Sequence, residues 1–273
     1  MQGNIGFIGG GVMGEAMVKG LLDKGMVTPE RVIVVDVSPA RRESLARQYR
    51  VNCAERAQDA LSGTETVVLA IKPQNLGEVL AELHGALRPE QLLLSIVAGA
   101  TLQTLTQGLG HPTVVRVMPN TPAQIGQGIS VWTATTPVSE AQKATVRSIL
   151  SALGEEVYVA EERYLDMATA LSGSGPAYVF LVIEALIDAG VHIGMPRAMA
   201  ERLVLQTVAG SGRFALESGA HPAELRNMVT SPGGTTTAAL LRLEEGGLRA
   251  LFIRAVQAAY EKSRALGQQG SSQ

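Results

Sequence analysis

Short apolar runs alternate with longer amphipathic segments through the first part of the chain, up to about residue 160. Runs rich in Val, Ile and Leu predict buried strands, and apolar positions with helical spacing predict helices between them. Strands that alternate with helices in this way are typical of a doubly wound α/β sheet. The predicted strands are residues 5–8, 31–35, 66–71, 92–96, 113–118, 129–134 and 156–159, and the longer predicted helices are residues 12–24, 39–49, 76–87 and 140–153.

From about residue 161 the strand pattern ends and only helical spacing continues. The chain is therefore predicted to divide into an α/β domain over residues 1–160 and an all-helical domain over residues 161–273. Helices as apolar as these cannot bury every face within one small domain, so we expect dimerisation through them. The predicted helices are residues 162–171, 176–193, 196–217, 221–229, 236–245 and 247–266.

The most apolar stretches of this second half are residues 176–195 and 198–210. Both contain charged residues, among them Glu184 and Arg202, which are rare inside a membrane span. The pattern therefore predicts buried helices of a soluble protein and no membrane partner.

A glycine motif follows the first predicted strand and begins the first predicted helix. Gly9, Gly11 and Gly14 have the G-x-G-x-x-G spacing of a dinucleotide-binding turn. In that motif the first glycine permits a tight turn, the second lets a pyrophosphate approach the backbone, and the third lets helix and strand pack closely. Because the N–H groups at a helix start can bind phosphate, Val12 and Met13 join the glycines as predicted cofactor-binding residues.

The predicted ribose site, after the second strand, gives contradictory signals about the cofactor. Asp36 ends this strand, where an acidic side chain bonds the ribose 2′-hydroxyl of NAD and repels the 2′-phosphate of NADP. Ser38, Arg41 and Arg42 follow, and groups of these types can bind that phosphate. The arginines are equally typical of a solvated helix face. The residues alone therefore leave both NADPH and NADH open.

Two further loops are predicted at the carboxyl ends of strands, where open α/β sheets bind ligands. Ala70, Lys72 and Pro73 end the third predicted strand, and Lys72 is predicted to contact the ribose or nicotinamide; a simple strand-end charge is the alternative. Asn120 lies in a loop fixed by two prolines and is the best polar candidate there to orient nicotinamide or substrate. A loop-capping role for Asn120 is equally compatible with the sequence.

The helical half contains a glycine pair flanked by hydroxyl residues, in the segment 230–236. Placed immediately before a helix, such a segment offers several N–H groups to an anion such as a carboxylate. A helix–helix turn is the alternative, as it is for the segment 171–178. No lysine or histidine lies nearby in sequence as a strong acid or base, which favours hydride transfer over hydrolysis.

Composition and charge narrow the function further. A net charge of −2 predicts no attraction to nucleic acid or to an anionic membrane. The single cysteine, Cys53, and four histidines without ligand spacing predict no metal site. The chain enters its first strand almost at once, which predicts a cytoplasmic location without a leader segment.

Together these motifs resemble those of the pyrroline-5-carboxylate reductases, and the resemblance covers nearly the whole chain. The glycine motif is shared with many dehydrogenases, whereas the segment 230–236 with its flanks is specific to this family. The matching segments are residues 7–14, 70–74, 118–122, 171–178 and 222–240.

The resemblance implies a Rossmann-type doubly wound sheet followed by an all-helical dimerisation domain, with NADPH or NADH as cofactor. The implied reaction is hydride transfer to the C=N bond of 1-pyrroline-5-carboxylate, which gives L-proline. The implied assembly is an interlocked homodimer, and in some members five dimers form a decamer. The implied active site lies between the cofactor and residues of the helical domain, in part from the dimer partner.

The resemblance also implies roles for individual residues. Ser231, Gly234, Thr235 and Thr236 would hold the substrate carboxylate, and the Thr236 hydroxyl, facing the ring nitrogen, is the implied catalytic group. Family members often have Ser, Asn or Arg after the second strand, which matches a preference for NADP. Asp36 departs from that pattern and puts the preference in doubt here.

Two other functions are compatible with such a fold. A β-hydroxyacid dehydrogenase also pairs this type of sheet with helices, but it needs a catalytic lysine in the helical domain, where this chain has only Lys262. A scaffold without catalytic activity has no physical need for an anion-binding segment at residues 231–236. We therefore expect an oxidoreductase.

Overall fold

One sheet of eight strands organises the first half of the chain in the computed structural model, which describes residues 3–269. The strand order is β3-β2-β1-β4-β5-β6-β7-β8. Strands β1 to β6 run parallel, whereas β7 is antiparallel to β6 and parallel to β8. The strands are β1 (Ile5–Ile8), β2 (Val32–Val35), β3 (Asn52–Ala54), β4 (Thr66–Leu69), β5 (Leu92–Ser95), β6 (Val114–Met118), β7 (Gly128–Ala134) and β8 (Gly154–Tyr158).

Helices cover both sides of this sheet. Successive strand residues face opposite sides, so each side has its own buried core. Met17 and Ile149, from α1 and α5, belong to one core, and Leu80 and Leu105, from α3 and α4, belong to the other. These helices are α1 (Val12–Asp23), α2 (Pro39–Tyr49), α3 (Leu76–Leu83), α4 (Leu102–Leu109) and α5 (Glu140–Ser151). The doubly wound sheet predicted from the sequence is confirmed.

The second half of the described chain is helical, as predicted. Its helices are α6 (Arg163–Ala168), α7 (Gly175–His192), α8 (Arg197–Ser218), α9 (Pro222–Met228), α10 (Thr235–Glu245) and α11 (Leu248–Gln269). Helix α7 packs against α8, and Gly190 lies so close to Ala200 that an added Cβ would be 3.0 Å from the alanine Cβ.

The chain forms two compact units whose limits differ from the predicted domain boundary between residues 160 and 161. The sheet unit comprises Met1–Ser174 and Ala259–Gln273, and the helical unit comprises Gly175–Ala258. Helix α6 and the end of α11 therefore pack with the sheet, although both are helical in sequence pattern. At residue 160 the secondary structure changes from mixed strands and helices to helices alone, but the sheet unit continues past this residue to Ser174.

Three local features differ from the sequence prediction. Strand β3 was not predicted, because its three residues, two of them polar or small, are too few to form a pattern. Helix α3 ends at Leu83, earlier than predicted, because Gly85 adopts a left-handed conformation with φ of +69°. The segment 171–178 is not a turn: Thr169–Gly173 forms a π-helical turn and α7 follows directly.

Apolar side chains cover much of the surface of the helical unit. Ile187 is the buried residue of α7 and Ala200 that of α8, so the prediction that residues 176–195 and 198–210 are buried is wrong for the single chain. The helical run Arg163–His192, with a mean hydropathy of 1.6, is long and apolar enough to cross a membrane, and 6% of its most apolar window is buried.

Candidate active site

The predicted cofactor residues lie at one edge of the sheet. Because β1, β2, β4 and β6 run in the same direction, the residues that follow Ile8, Val35, Leu69 and Met118 all leave the sheet at its carboxyl edge. The strand order reverses its direction between β1 and β4, which is the point where a crevice opens in such sheets. The glycine turn lies at this point.

The glycine turn leaves no room for side chains at two of its positions. Gly9 has a φ of +101°, and an added Cβ would lie 2.5 Å from the Ala70 carbonyl oxygen. At Gly14, a Cβ would lie 2.3 Å from the Gly9 carbonyl oxygen. The backbone of the turn therefore lies directly against the start of α1 and the end of β4, which explains why both positions are glycine.

Gly11 has a different role, because it faces open space. It is the N-cap residue of α1, and no atom lies within 4 Å of the position where its Cβ would be. No side chain caps this helix start. The N–H groups of the first helical residues, beginning with Val12 and Met13, have no acceptor within the helix. This arrangement fits a pyrophosphate, as predicted for the glycine motif.

Asp36 is bound to the glycine turn rather than pointing freely into solvent. Its Oδ2 atom accepts a hydrogen bond of 2.9 Å from the Gly10 N–H, and its Oδ1 atom accepts one of 2.9 Å from the Ser38 N–H. Ser38 caps α2 by accepting a hydrogen bond from the Arg41 N–H. The carboxylate therefore sits between the turn after β1 and the turn after β2.

Both arginines of the predicted ribose site have partners. Arg41 donates from Nε to the Gly10 carbonyl and from Nη2 to the Glu15 carboxylate. Arg42 donates to the carbonyls of Asp36 (2.7 Å) and Val37 (3.1 Å) and pairs with Glu55. Neither guanidinium is a purely solvated group.

Glu15 and Tyr49 complete this network, and the sequence analysis did not predict a role for either. The Tyr49 hydroxyl donates a 2.8 Å hydrogen bond to Glu15, whose other oxygen accepts from Arg41. Burial raises the pKa of Glu15, but the hydrogen bonds from Arg41 and Tyr49 outweigh it and hold the pKa below its usual value. Burial and the bond to Glu15 raise the pKa of Tyr49 to about 12. The parallel pairing of β1 with β2 was the available signal, since it makes α1 and α2, which follow these strands, neighbours in the fold.

The loops after β4 and β6 differ in how firmly their polar residues are held. Lys72 and Pro73 are exposed at the start of a short 3₁₀ turn. The Asn120 Oδ1 atom accepts a 2.9 Å hydrogen bond from the Ile129 N–H, so this side chain caps the loop before β7. An open groove of about 1070 Å³ runs along α3 and α4, but Pro73 is the one predicted cofactor residue on its walls. The glycine turn, where the sequence predicts the cofactor, therefore contributes no residue to this groove.

The predicted carboxylate site lies in the helical unit, at the start of α10. Gly234 is the N-cap residue of this helix, no side chain caps it, and the first helical hydrogen bond is from the Ala238 N–H to the Gly234 carbonyl. The N–H groups of Thr235 and Thr236 therefore have no acceptor within the helix. A φ of +70° at Gly233 makes the turn into the helix.

The Ser231–Gly234 turn is closed by its own hydrogen bonds. The Gly234 N–H donates to the Ser231 carbonyl (3.0 Å), and the Thr237 hydroxyl donates to the same carbonyl (2.7 Å). A Cβ at Gly234 would lie 2.4 Å from the Ser231 hydroxyl oxygen. The turn thus places a serine hydroxyl beside unpaired helix N–H groups, which is an arrangement suited to a carboxylate.

Two family models match successive parts of the chain. Residues 162–266 match the model described as pyrroline-5-carboxylate reductase dimerisation, and residues 4–99 match the model described as NADP oxidoreductase, coenzyme F420-dependent. A pyrroline-5-carboxylate reductase from Synechocystis sp. is 45% identical to this chain over 98% of this chain and 99% of its own length. The chain belongs to the pyrroline-5-carboxylate reductase family. The family predicted from the sequence motifs is thereby confirmed.

Other pyrroline-5-carboxylate reductases match over similar lengths. The Escherichia coli protein is 42% identical over 97% of this chain and 99% of its own length. The structure of the Coxiella burnetii reductase covers 97% of this chain and 99% of its own, with a TM-score of 0.90 and 38% identity. The Plasmodium falciparum pyrroline carboxylate reductase, solved with NADP bound, covers 97% of this chain and 98% of its own, with a TM-score of 0.89 and 33% identity.

The match of the dimerisation model accounts for the apolar surface of the helical unit. Residues 162–266 include α7 and α8, whose exposed side chains are unusually apolar for a monomer. Residues 162–266 match a dimerisation domain, so an apolar surface on these helices is consistent with a dimer.

Proposed function

We propose that this chain is a pyrroline-5-carboxylate reductase, which transfers a hydride from NADPH or NADH to carbon 5 of 1-pyrroline-5-carboxylate and releases L-proline. The observation that carries the proposal is the start of α10. Gly234 leaves this helix without a side-chain cap, and the Ser231 hydroxyl lies beside its free N–H groups. A substrate with one carboxylate on a small ring fits such a site.

In this proposal the carboxylate accepts hydrogen bonds from the Thr235 and Thr236 N–H groups and from the Ser231 hydroxyl. The Gly234 N–H, which the sequence predicted as a further donor, instead donates to the Ser231 carbonyl, so Gly234 contributes space beside the helix start. The N-terminal end of a helix also carries a partial positive charge, which favours the bound anion. Fixing the carboxylate at one end orients the C=N bond at the other. Correct positioning of two reactants can supply about 7–11 kcal/mol of the barrier reduction.

The Thr236 hydroxyl is the proposed proton donor to the ring nitrogen. A protonated C=N bond is a better hydride acceptor, because the positive charge draws electrons away from carbon 5. The imine nitrogen is itself basic, so the Thr236 hydroxyl needs only to pass a proton to it while taking one from water, which returns the threonine to its neutral state. Thr236 is half-buried.

The sheet unit supplies the nucleotide half of the proposed site. Gly9, Gly11, Val12, Met13 and Gly14 would hold the pyrophosphate. The residues that would contact the ribose and nicotinamide portions are Asp36, Ser38, Arg41, Ala70, Lys72, Pro73 and Asn120. The nicotinamide supplies the hydride when bound.

We further propose that the working unit is a cytoplasmic homodimer. The apolar faces of α7 and α8 support the dimer, and a chain with a single cysteine is compatible with a reducing compartment. A decamer of five dimers, which the family resemblance predicts for some members, is a further assembly that sizing experiments separate from the dimer.

Steady-state kinetics with pyrroline-5-carboxylate test the proposed substrate site. Thr236→Ala is expected to lower kcat by about 10-fold or more, because the proton donor is lost while the carboxylate site remains. Gly234→Val is expected to abolish substrate binding, since its side chain would crowd Ser231 and block the helix start.

The matched control is Thr145→Ala, which removes a threonine hydroxyl that bonds only its own helix, α5. Its kcat and KM are expected to equal those of the unmodified chain. Wild-type kinetics in both Thr236→Ala and Gly234→Val would contradict the proposed site.

A further inference from the structure

We infer that this chain prefers NADH to NADPH, and that Asp36 determines the preference by occupying the position that a 2′-phosphate would need. This inference rests on the proposed function, whose cofactor choice the sequence leaves open. It concerns the residues of this chain alone, since the NADP seen in the Plasmodium falciparum structure belongs to a protein 33% identical to it.

The backbone N–H groups of Gly10 and Ser38, beside the ribose site, are already engaged. A phosphate at this position would need hydrogen-bond donors, and these two N–H groups lie at the ends of β1 and β2. Both already donate to the Asp36 carboxylate, each at 2.9 Å. A fixed anion therefore fills the anion site. A ribose 2′-hydroxyl, by contrast, can donate a hydrogen bond to that carboxylate.

Arg41, the side chain that the sequence offers for binding a 2′-phosphate, is already engaged. Its guanidinium is held by the Gly10 carbonyl and by Glu15, and Glu15 is itself fixed by the Tyr49 hydroxyl. Both side chains of this ion pair are about three-quarters buried. Turning Arg41 toward a phosphate would leave a partly buried carboxylate and a carbonyl without their donor, which is unfavourable.

The net charge of the whole network also disfavours a 2′-phosphate. Arg42 is also engaged, with two backbone carbonyls and with Glu55. Three carboxylates, from Glu15, Asp36 and Glu55, face two guanidiniums, from Arg41 and Arg42, which leaves the network net negative. A 2′-phosphate would add about two negative charges to it.

Direct binding measurements test the inference without any requirement for catalysis. The dissociation constants of NADH and NADPH are measured by nicotinamide fluorescence for the purified full chain and its variants. The unmodified chain is expected to bind NADH at least about 10-fold more tightly than NADPH. In Asp36→Ser and Asp36→Asn the ratio of the two constants is expected to shift toward NADPH by about 10-fold or more.

Two further variants test whether the preference depends on the position of the Asp36 carboxylate or on the charges around it. Glu55→Gln removes one negative charge of the same network without touching the glycine turn. Because the Glu55 side chain is 69% exposed and screened by solvent, the ratio is expected to change by less than about threefold. Arg41→Met is expected to change the ratio by less than about threefold as well, because Arg41 already donates its hydrogen bonds to Glu15 and to the Gly10 carbonyl. A variant that only loosens the turn weakens both nucleotides together and leaves the ratio constant.

Three results would overturn the inference: NADPH binding as tight as NADH binding, an unchanged ratio in both Asp36 variants, or a selective loss of NADPH binding in Arg41→Met. These results leave the proposed function standing, provided that either nucleotide still reduces pyrroline-5-carboxylate. If NADH binds more tightly but neither nucleotide is oxidised with that substrate, the proposed function fails while the preference holds.

Discussion

Arg116 is a buried cation in the middle of the sheet unit. It lies in β6 with 5% of its side chain exposed, and it pairs with Glu162 at 2.8 Å and Asp166 at 3.2 Å. Asp166 also accepts a hydrogen bond from Ser263 in the end of α11. This one side chain therefore ties α6, and through Asp166 the last helix, to the sheet.

Arg116→Met is expected to lower the free energy of unfolding by about 3 kcal/mol, because it leaves two partly buried carboxylates without their shared cation. Urea unfolding followed by circular dichroism measures the change. Arg56→Met is the control, since Arg56 pairs with Asp59 on the surface, and its urea midpoint is expected to stay where it is. Equal midpoints for all three proteins would contradict this role of Arg116.

Gly14→Ala is expected to weaken nucleotide binding by about 10-fold or more, because the new methyl group would meet the Gly9 carbonyl and displace the turn. Fluorescence titration with NADH measures the dissociation constant. Gly77→Ala makes the same change in α3, where the added Cβ meets no atom within 4 Å, and it should leave nucleotide affinity unchanged. The prediction is wrong if the two variants bind NADH equally well.

For single residues, the sequence predicted where a side chain lies in the fold better than it predicted which groups that side chain bonds. Asp36, Ser38 and Arg41 were predicted at the ribose site from their place after a strand, and the structure brings them together there. The bond from Arg41 to Glu15 could not be predicted, because the two residues lie 26 positions apart along the chain, and Tyr49 reaches Arg41 only through Glu15. Such partners follow from strand pairing and not from any local motif.

Helices α1 and α2 are joined by a small network of Glu15, Arg41 and Tyr49. Glu15 has a lowered pKa in the folded chain, so its contribution to stability is present above the unfolded pKa of about 4.5 and is lost as the pH falls through the folded value. The network therefore stabilises this pair of helices at neutral pH and fails in acid.

The pH dependence of Glu15→Gln tests this element. The variant is expected to be less stable than the unmodified chain at neutral pH, and the difference should shrink as the pH falls below about 4.5, where the wild-type carboxylate also becomes neutral. Urea unfolding at a series of pH values measures both curves. A difference that stays constant into acid would contradict the lowered pKa.

Elements with a strong repeating pattern were predicted, and those without one were not. The apolar runs of β1, β4 and β5 and the helical spacing of α7 to α11 gave correct types with small errors at the ends. Strand β3 has three residues, and the π-helical turn at Thr169–Gly173 has no sequence pattern of its own, so neither could be predicted.

The whole molecule has an apolar surface that one chain does not cover. In the helical unit, Phe180 and Leu181 of α7 are 61% and 65% exposed. Burying such side chains against a second subunit is favourable by about 1.5–3 kcal/mol each. Periodicity predicted these helices and even the need for a partner, but it could not predict which apolar positions face the partner and which face the same chain.

Leu181→Glu is expected to shift the protein from dimer to monomer, because it places a charge in the covered face. Light scattering after size exclusion measures the mass. Ile125→Glu is the control, since Ile125 is 77% exposed but lies in the sheet unit, outside the dimerisation region. The assignment of the interface is contradicted if Leu181→Glu stays dimeric or if the control alone dissociates.

At the scale of the whole molecule, the proposed reaction delivers a hydride to carbon 5 of a cyclic imine. The most direct test supplies NADH carrying deuterium at the transferable position on carbon 4, together with 1-pyrroline-5-carboxylate, and analyses the product by mass spectrometry. We predict L-proline with one deuterium at carbon 5, formed in equal amount to the nucleotide oxidised. No proline, or proline without the label, would contradict the account.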